Sequence, residues 1–270
     1  MTNPLLDFLA IVSYLAAAAL IASRLVRGEA IAGRHRVALF VLVAAAVLLH
    51  AVGLYTDPRL ASGLDLSLTG AFTLVACVVA CLYLLVSLWR PIDNLGVVVL
   101  PIAALTVLAD WIAPASGAVP LTSGPQTVHI VVALVAYSLL SLAAVQSLML
   151  LVQENKLRHK HPGGFIRALP PMQTMEEVMF QMIALGFVLL TVTLLSGVVF
   201  SERVFGTPFK LTHHMLLAAL GWLVYATLLV GRWRFGWRGR TAVRWTLGGF
   251  ALLVLGYFGT KFVLEIVLGR

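Results

Sequence analysis

Four of the seven histidines stand inside or at the edge of long apolar stretches, where an ionisable side chain is costly and marks function. His50 lies within LLHAVGL, His129 opens HIVVALVAYSLLSLAAV, and His213 and His214 open HHMLLAALGWLVYATLLV. Neutral imidazole is the commonest metal ligand among side chains, and two imidazoles from different helices can hold a haem iron from both faces. Neighbouring residues of a helix project about 100° apart, so only one of His213 and His214 is expected to face a partner shared with His50 and His129. His35, His159 and His161 fall in basic loops and read as solvated residues. A divalent-cation path usually adds carboxylates near the membrane midplane. Here Asp7, Asp110, Glu176, Glu177 and Glu265 all fall towards the ends of apolar stretches. A large, flat, mostly apolar ligand held by imidazoles fits this chemistry better than a cation path. Cys77 and Cys81, four apart on one helix face, read as small packing residues. Neither CxxC nor CxxCH occurs, which excludes a thioredoxin-type redox site and covalent haem attachment to this chain.

The elements that must position these residues follow from composition. The chain has 270 residues, 61% of them hydrophobic and only 11% charged; its mean hydropathy is +1.00. A soluble domain carries about 25% charged residues, so a soluble fold, a disordered chain, collagen and a coiled coil are all excluded. A hydrocarbon core about 30 Å thick needs about 20 apolar residues per helix. Eight such runs occur: 5–23, 37–55, 66–89, 95–112, 128–152, 178–200, 211–230 and 245–268. The expected fold is therefore all-α, a single integral membrane domain over 1–270 built as a bundle of eight transmembrane helices. The first run, long and without basic residues at its start, reads as a span rather than a signal peptide. Pro101 is expected to kink the fourth helix, and Gly186, Gly197, Gly221, Gly248, Gly249, Gly256 and Gly259 to allow close helix approach.

Charge sets the orientation. The formal net charge is +8, and 14 of the 19 Lys and Arg residues fall in the loops after the first, third, fifth and seventh runs. By the positive-inside rule those loops are cytoplasmic and both termini lie outside, and the basic excess is an orientation signal rather than a nucleic-acid footprint. The longest loop, 153–177, is expected to place Phe165, Ile166 and Leu169 along the membrane surface. This topology, derived from Arg and Lys, puts His50, His129, His213 and His214 on one outer side. His50 is about 7–8 Å deeper than the helix end, a burial that ligation would explain. His50 and His129 therefore rank as the first axial pair, His213 as an alternative, and His214 last. Lys261, Arg203 and Lys210 share that side and could pair with the carboxylates of a haem, although a one-turn ion pair between Lys261 and Glu265 is the plainer reading.

Beyond these side chains, longer stretches resemble a known family. SERVFGTPFKLTHHMLLAALGWLVYATLLVGRWRFGWRGR, the closing GYFGTKF, VHIVVALVAYSLLSLAAVQSLMLLVQENKLR and MEEVMFQMIALGFVLLTVTLLSGVVF are similar to the cytochrome c assembly (CcsA-like) proteins, in particular the short HemX/YpjD-like inner-membrane branch. The resemblance covers nearly the whole chain and is strongest over 128–268. It implies a bacterial inner-membrane location, non-covalent haem b near the outer face, His129 as a haem ligand, and His50 as the matched membrane histidine of the amino-terminal half. It also implies other cytochrome assembly proteins as partners, beside membrane lipid. The chain departs from the family twice. The Trp-rich haem-presenting loop would fall at 202–214, where Phe205, Phe209, Leu211 and Thr212 stand instead, and the final VLEIVLGR lacks the histidine of full cytochrome c synthases. The expectation is haem binding or handling without ligation chemistry. The alternative is an accessory or regulatory protein for divalent-cation efflux, without haem.

Overall fold

The computed structural model describes residues 3–56, 63–112, 124–159, 163–199 and 212–268. Among the described residues eight helices are long and apolar enough to cross a membrane. They are α1 (Pro4–Arg27), α2 (Gly33–Thr56), α3 (Leu68–Trp89), α4 (Gly96–Ile112), α5 (Gly124–Arg158), α7 (Met172–Val199), α8 (His213–Phe235) and α9, which starts at Gly239 and runs through two π-helical stretches to Val267. A five-residue helix, α6 (Gly164–Ala168), joins α5 to α7.

Local chemistry marks the helix ends. In α1, Pro4 stands at the first turn, where its missing N–H costs nothing, and Gly28 closes the helix at φ 71, a left-handed conformation that glycine adopts without strain. Thr212 caps α8 by accepting from the Met215 N–H, and Gly236 closes it at φ 66. Arg24 and Arg27 in α1, and Arg232 and Arg234 in α8, occupy last turns, beside the negative end of the helix dipole. The helices outrun the apolar runs: α5 has 35 residues, and α7 and α9 begin about six residues earlier than hydropathy alone places them. Polar residues continue a helix past the hydrocarbon edge, where water satisfies them.

Packing divides the bundle into two groups. In the first, α1 packs on α2 and α4, and α3 on α4. In the second, α5 packs on α7 and α9, α8 on α9, and α7 on α8. The α3–α5 contact joins them. Close approach is visible where expected at Gly186, whose added Cβ would stand 2.9 Å from Leu140, and at Gly249, where it would meet the Tyr225 ring at 2.9 Å. At Gly248 nothing lies within 4 Å. Pro101 sits inside α4, which continues on both sides of it. The expected surface segment is α6. Ile166 and Leu169 are buried, and α6 packs on α1, so its apolar residues cover protein.

The two ends of the bundle differ. One, the arginine end, is tied by charge: Glu176 accepts from Arg232 Nη1 at 2.7 Å and from the Gly239 N–H at 3.2 Å, Glu154 pairs with Arg240 at 3.0 Å, and Asp93 with Arg36 at 3.4 Å. Arg24 pairs with Glu29. The other, the histidine end, carries the start of α1, the end of α9 and all four membrane histidines.

Candidate functional site

Two polar clusters lie at the histidine end, one in each helix group. In the second group His129 lies in the second turn of α5 and is half-buried. Its Nδ1 is 2.8 Å from Ser196 Oγ on α7. Ser196 uses its own hydroxyl proton towards the Thr193 carbonyl at 3.0 Å, so its oxygen accepts from His129 and the imidazole proton sits on Nδ1. That leaves Nε2 as the nitrogen with the lone pair. His214, in the first turn of α8, lies at the same end of the same helix group as His129. The His214 ring interacts with the Gly256 backbone and stands edge-on to Tyr257, centroids 5.7 Å apart, and its buried Nδ1 has no hydrogen-bond partner among the described residues. Gly256 and Tyr257 belong to the π-helical stretch Leu255–Gly259 of α9, a type of distortion common at functional sites. Gly197 on α7 leaves space beside His129, since an added Cβ would stand 3.4 Å from its Cε1.

In the first group His50 is buried, 3% exposed. Its Nδ1 lies 3.2 Å from the Tyr14 hydroxyl of α1, the rings edge to face. Nε2 has no partner among the described residues, and His50 lines a small pocket with Asp7, Gly53, Leu54, Thr73, Val107 and Asp110. The pocket has room for about one water molecule and none for a porphyrin.

The family described as "Cytochrome C assembly protein" matches residues 40–268. The chain belongs to the cytochrome c assembly protein family. It is 31% identical over 271 residues to Inner membrane protein YpjD of Escherichia coli strain K12, covering 98% of this chain and 99% of that one. Protein HemX of Brevibacillus brevis is 28% identical over 139 residues, 52% of this chain and 51% of its own. Cytochrome c biogenesis protein CcsA of Prochlorococcus marinus strain MIT 9515 is 27% identical over 206 residues, 67% and 66%. With eight spans and these relatives, the chain is a multi-pass protein of the bacterial inner membrane.

Within this cytochrome c assembly fold the expected residues are sorted differently from their sequence ranking. His213 is exposed, and His214 is the inward member of the pair, which reverses the expected orientation. The cause is register: α8 begins at His213 itself, so the second histidine meets α9. His50 and His129 belong to different helix groups, whereas His129 and His214 share one. Lys261 pairs with Glu265 at 3.2 Å, the plainer of its two readings, and Glu265 also accepts from the Leu68 N–H at 2.8 Å. Arg203, Lys210 and most of the segment matched to the Trp-rich loop lie outside the described residues. Among the described residues no group of three or more His, Cys, Asp or Glu is placed to hold a metal ion. Sequence reasoning missed Ser196, Tyr14 and the convergence of Asp7 and Asp110 on His50. Ser196 left no signal. Tyr257 did, inside GYFGTKF.

Proposed function

We propose that the protein binds haem b non-covalently at the outer face of the inner membrane and handles it as an accessory of cytochrome c assembly. The observation that carries this is two imidazoles from different helices at one end of one helix group, His129 of α5 and His214 of α8, with Tyr257 of α9 edge-on to His214 and to Tyr137 of α5, in a family of cytochrome c assembly proteins. The donor set fits haem. His214 Nδ1 is buried without a partner among the described residues, and the Ser196 contact holds the proton of His129 on Nδ1 and the lone pair on Nε2. An oriented second nitrogen is the usual support of a ligating histidine. Tyr257 and Tyr137, edge to face at 6.5 Å, supply apolar ring surface beside them. Haem bound here supplies a redox-active iron. The chain's part is to hold and orient it, with Arg203 and Lys210 as partners for its carboxylates. Lys261, engaged with Glu265, is a weaker candidate. His50, in a pocket without room for a porphyrin, stands outside this ligation set.

The test is optical. Purified full-length protein titrated with haem is expected to give a Soret band of a six-coordinate imidazole complex. His129→Ala and His214→Ala each convert it to a five-coordinate form or abolish binding; His213→Ala and His50→Gln leave it unchanged. Colourless protein that takes up no haem, and instead carries stoichiometric divalent metal, would replace this reading with the cation-efflux alternative.

A further inference from the structure

The His50 pocket belongs to none of the chemistry above. Four helices build it: α1 contributes Asp7 and Tyr14, α2 His50 and Gly53, α3 Thr73, and α4 Asp110. Gly53 matters for what it lacks, because an added Cβ would stand 3.2 Å from Asp7 Oδ1, so its bare Cα makes space for that carboxylate beside His50. A histidine almost wholly withdrawn from solvent, lining a cavity that also holds Asp7, Thr73 and Asp110, with one ring nitrogen that has no partner among the described residues, requires a reason. The cavity holds about one water, and polar groups of four residues, Asp7, His50, Thr73 and Asp110, can reach it, which meets the condition for an ordered buried water.

The polar groups form a graded series. Asp110 is half-buried one turn from the end of α4, Asp7 is 9% exposed, His50 3% and Tyr14 0%. Beyond Tyr14 the helices turn apolar towards the arginine end: Ala17 and Ile21 on α1, Ala46 and Val43 on α2, Ala103 and Leu100 on α4 are all buried. On α3 the neighbour is Cys77, a free thiol, followed by buried Ala80. The series leads inward and stops. Among the described residues no lysine or arginine lines the pocket, and the titratable groups that line it or adjoin it are Asp7 and Tyr14 of α1, His50 of α2, Cys77 and Cys81 of α3 and Asp110 of α4.

We propose that this pocket is a proton well, closed towards the arginine end, in which Asp110, Asp7 and His50 share one dissociable proton across a bound water. A hydronium ion at the histidine end gives its proton to Asp110 and departs as water; the proton passes through the bound water to Asp7 or to His50 Nε2, and the chain gains one positive charge. O–H and N–H bonds are made and broken, and nothing is oxidised. Tyr14 holds the other ring nitrogen and sets the ring's direction. The site stands independently of haem, since it shares no residue with the His129–His214 cluster.

Infrared difference spectroscopy on the full-length protein in lipid nanodiscs, stepped between about pH 4 and pH 8, tests it. The expected result is a protonated-carboxyl band that grows as pH falls. Asp7→Asn or Asp110→Asn removes it, and His50→Gln moves its midpoint by about one pH unit, a tenfold change in proton affinity. Gly53→Ala, which crowds Asp7 alone, perturbs the same band. If Asp7→Asn does not fold, the half-buried Asp110→Asn carries the test. A spectrum with no pH-dependent carboxyl band lost on either aspartate substitution overturns the proposal and leaves a structural water only. So does a band whose midpoint His50→Gln does not move.

Discussion

Replacing Ser196 by alanine isolates the orientation of His129 from its presence. The hydroxyl oxygen lies 2.8 Å from Nδ1 and is the link between α5 and α7 at the histidine end, 67 residues apart in sequence. Alanine removes the acceptor, and the half-buried N–H is left with a desolvation cost of about 1–3 kcal/mol. An independent route gives the same size: losing the hydrogen-bond partner of a ligating histidine costs roughly 10–100-fold in affinity, which converts to about 1.4–2.8 kcal/mol. The expected outcome is therefore a 10–100-fold weaker haem affinity for Ser196→Ala, read from the Soret band in a titration of the apoprotein. Ser196→Thr, which keeps an accepting oxygen on the same carbon, retains most of the affinity. Helical circular dichroism checks that the bundle is intact. The reasoning fails if Ser196→Ala binds haem as tightly as the natural protein while His129→Ala does not bind it at all. The imidazole would then be oriented by something other than α7.

Three further outcomes follow from the packing and the charges. Glu176→Gln weakens the tie among α7, α8 and α9 and is expected to cost about 1.5–3 kcal/mol, the range for hydrogen bonds to charged groups, in unfolding from mixed micelles; an unchanged transition would show that the arginine-end network is ornamental. Gly249→Ala pushes a methyl to 2.9–3.1 Å from the Tyr225 ring and should lose about 1–3 kcal/mol, whereas Gly248→Ala, with nothing within 4 Å, should be close to neutral; equal losses at both positions would contradict the α8–α9 packing. In a background without Cys77 and Cys81, a single cysteine placed within 153–177 should react only with reagent from the cytoplasmic side, and Thr212→Cys only from outside. The reverse pattern would invert the orientation drawn from the loop charges.

The number of spans was legible because hydropathy is summed over about 20 residues and tolerates local error. What faces what was not. On a soluble helix a polar stripe marks the solvent side, but in a bilayer the lipid-facing and core-facing stripes are both apolar, and the periodic signal fades. Phe8 is 53% exposed and Tyr14 fully buried on the same helix, and nothing in the apolar pattern of α1 separates them. The placement of the histidines was not legible for this reason. Choosing between His213 and His214 needs the register of α8 against α9, which the Thr212 cap and the π-helical stretch set together. Pairing His50 with His129 needed the partition of helices into two groups, which rests on which helices pack together rather than on any pattern along the chain.

That partition also gives the two histidine clusters different chemistry. Around His129 and His214 the described contacts include a serine, glycines and tyrosines, a neighbourhood that suits the proposed haem iron. Around His50 the neighbours include Asp7 and Asp110, hard oxygens in a space the size of one water, suited to a proton. Exchanging the environments would spoil both. A carboxylate beside His214 would compete for its N–H and place a fixed negative charge against a ligand that already carries two carboxylates. A porphyrin-sized opening beside His50 would admit bulk water and abolish the proposed proton well. The close contacts of α1 with α2 and α4 on one side, and of α5 with α7 on the other, keep the two sites apart at the same end of the bundle.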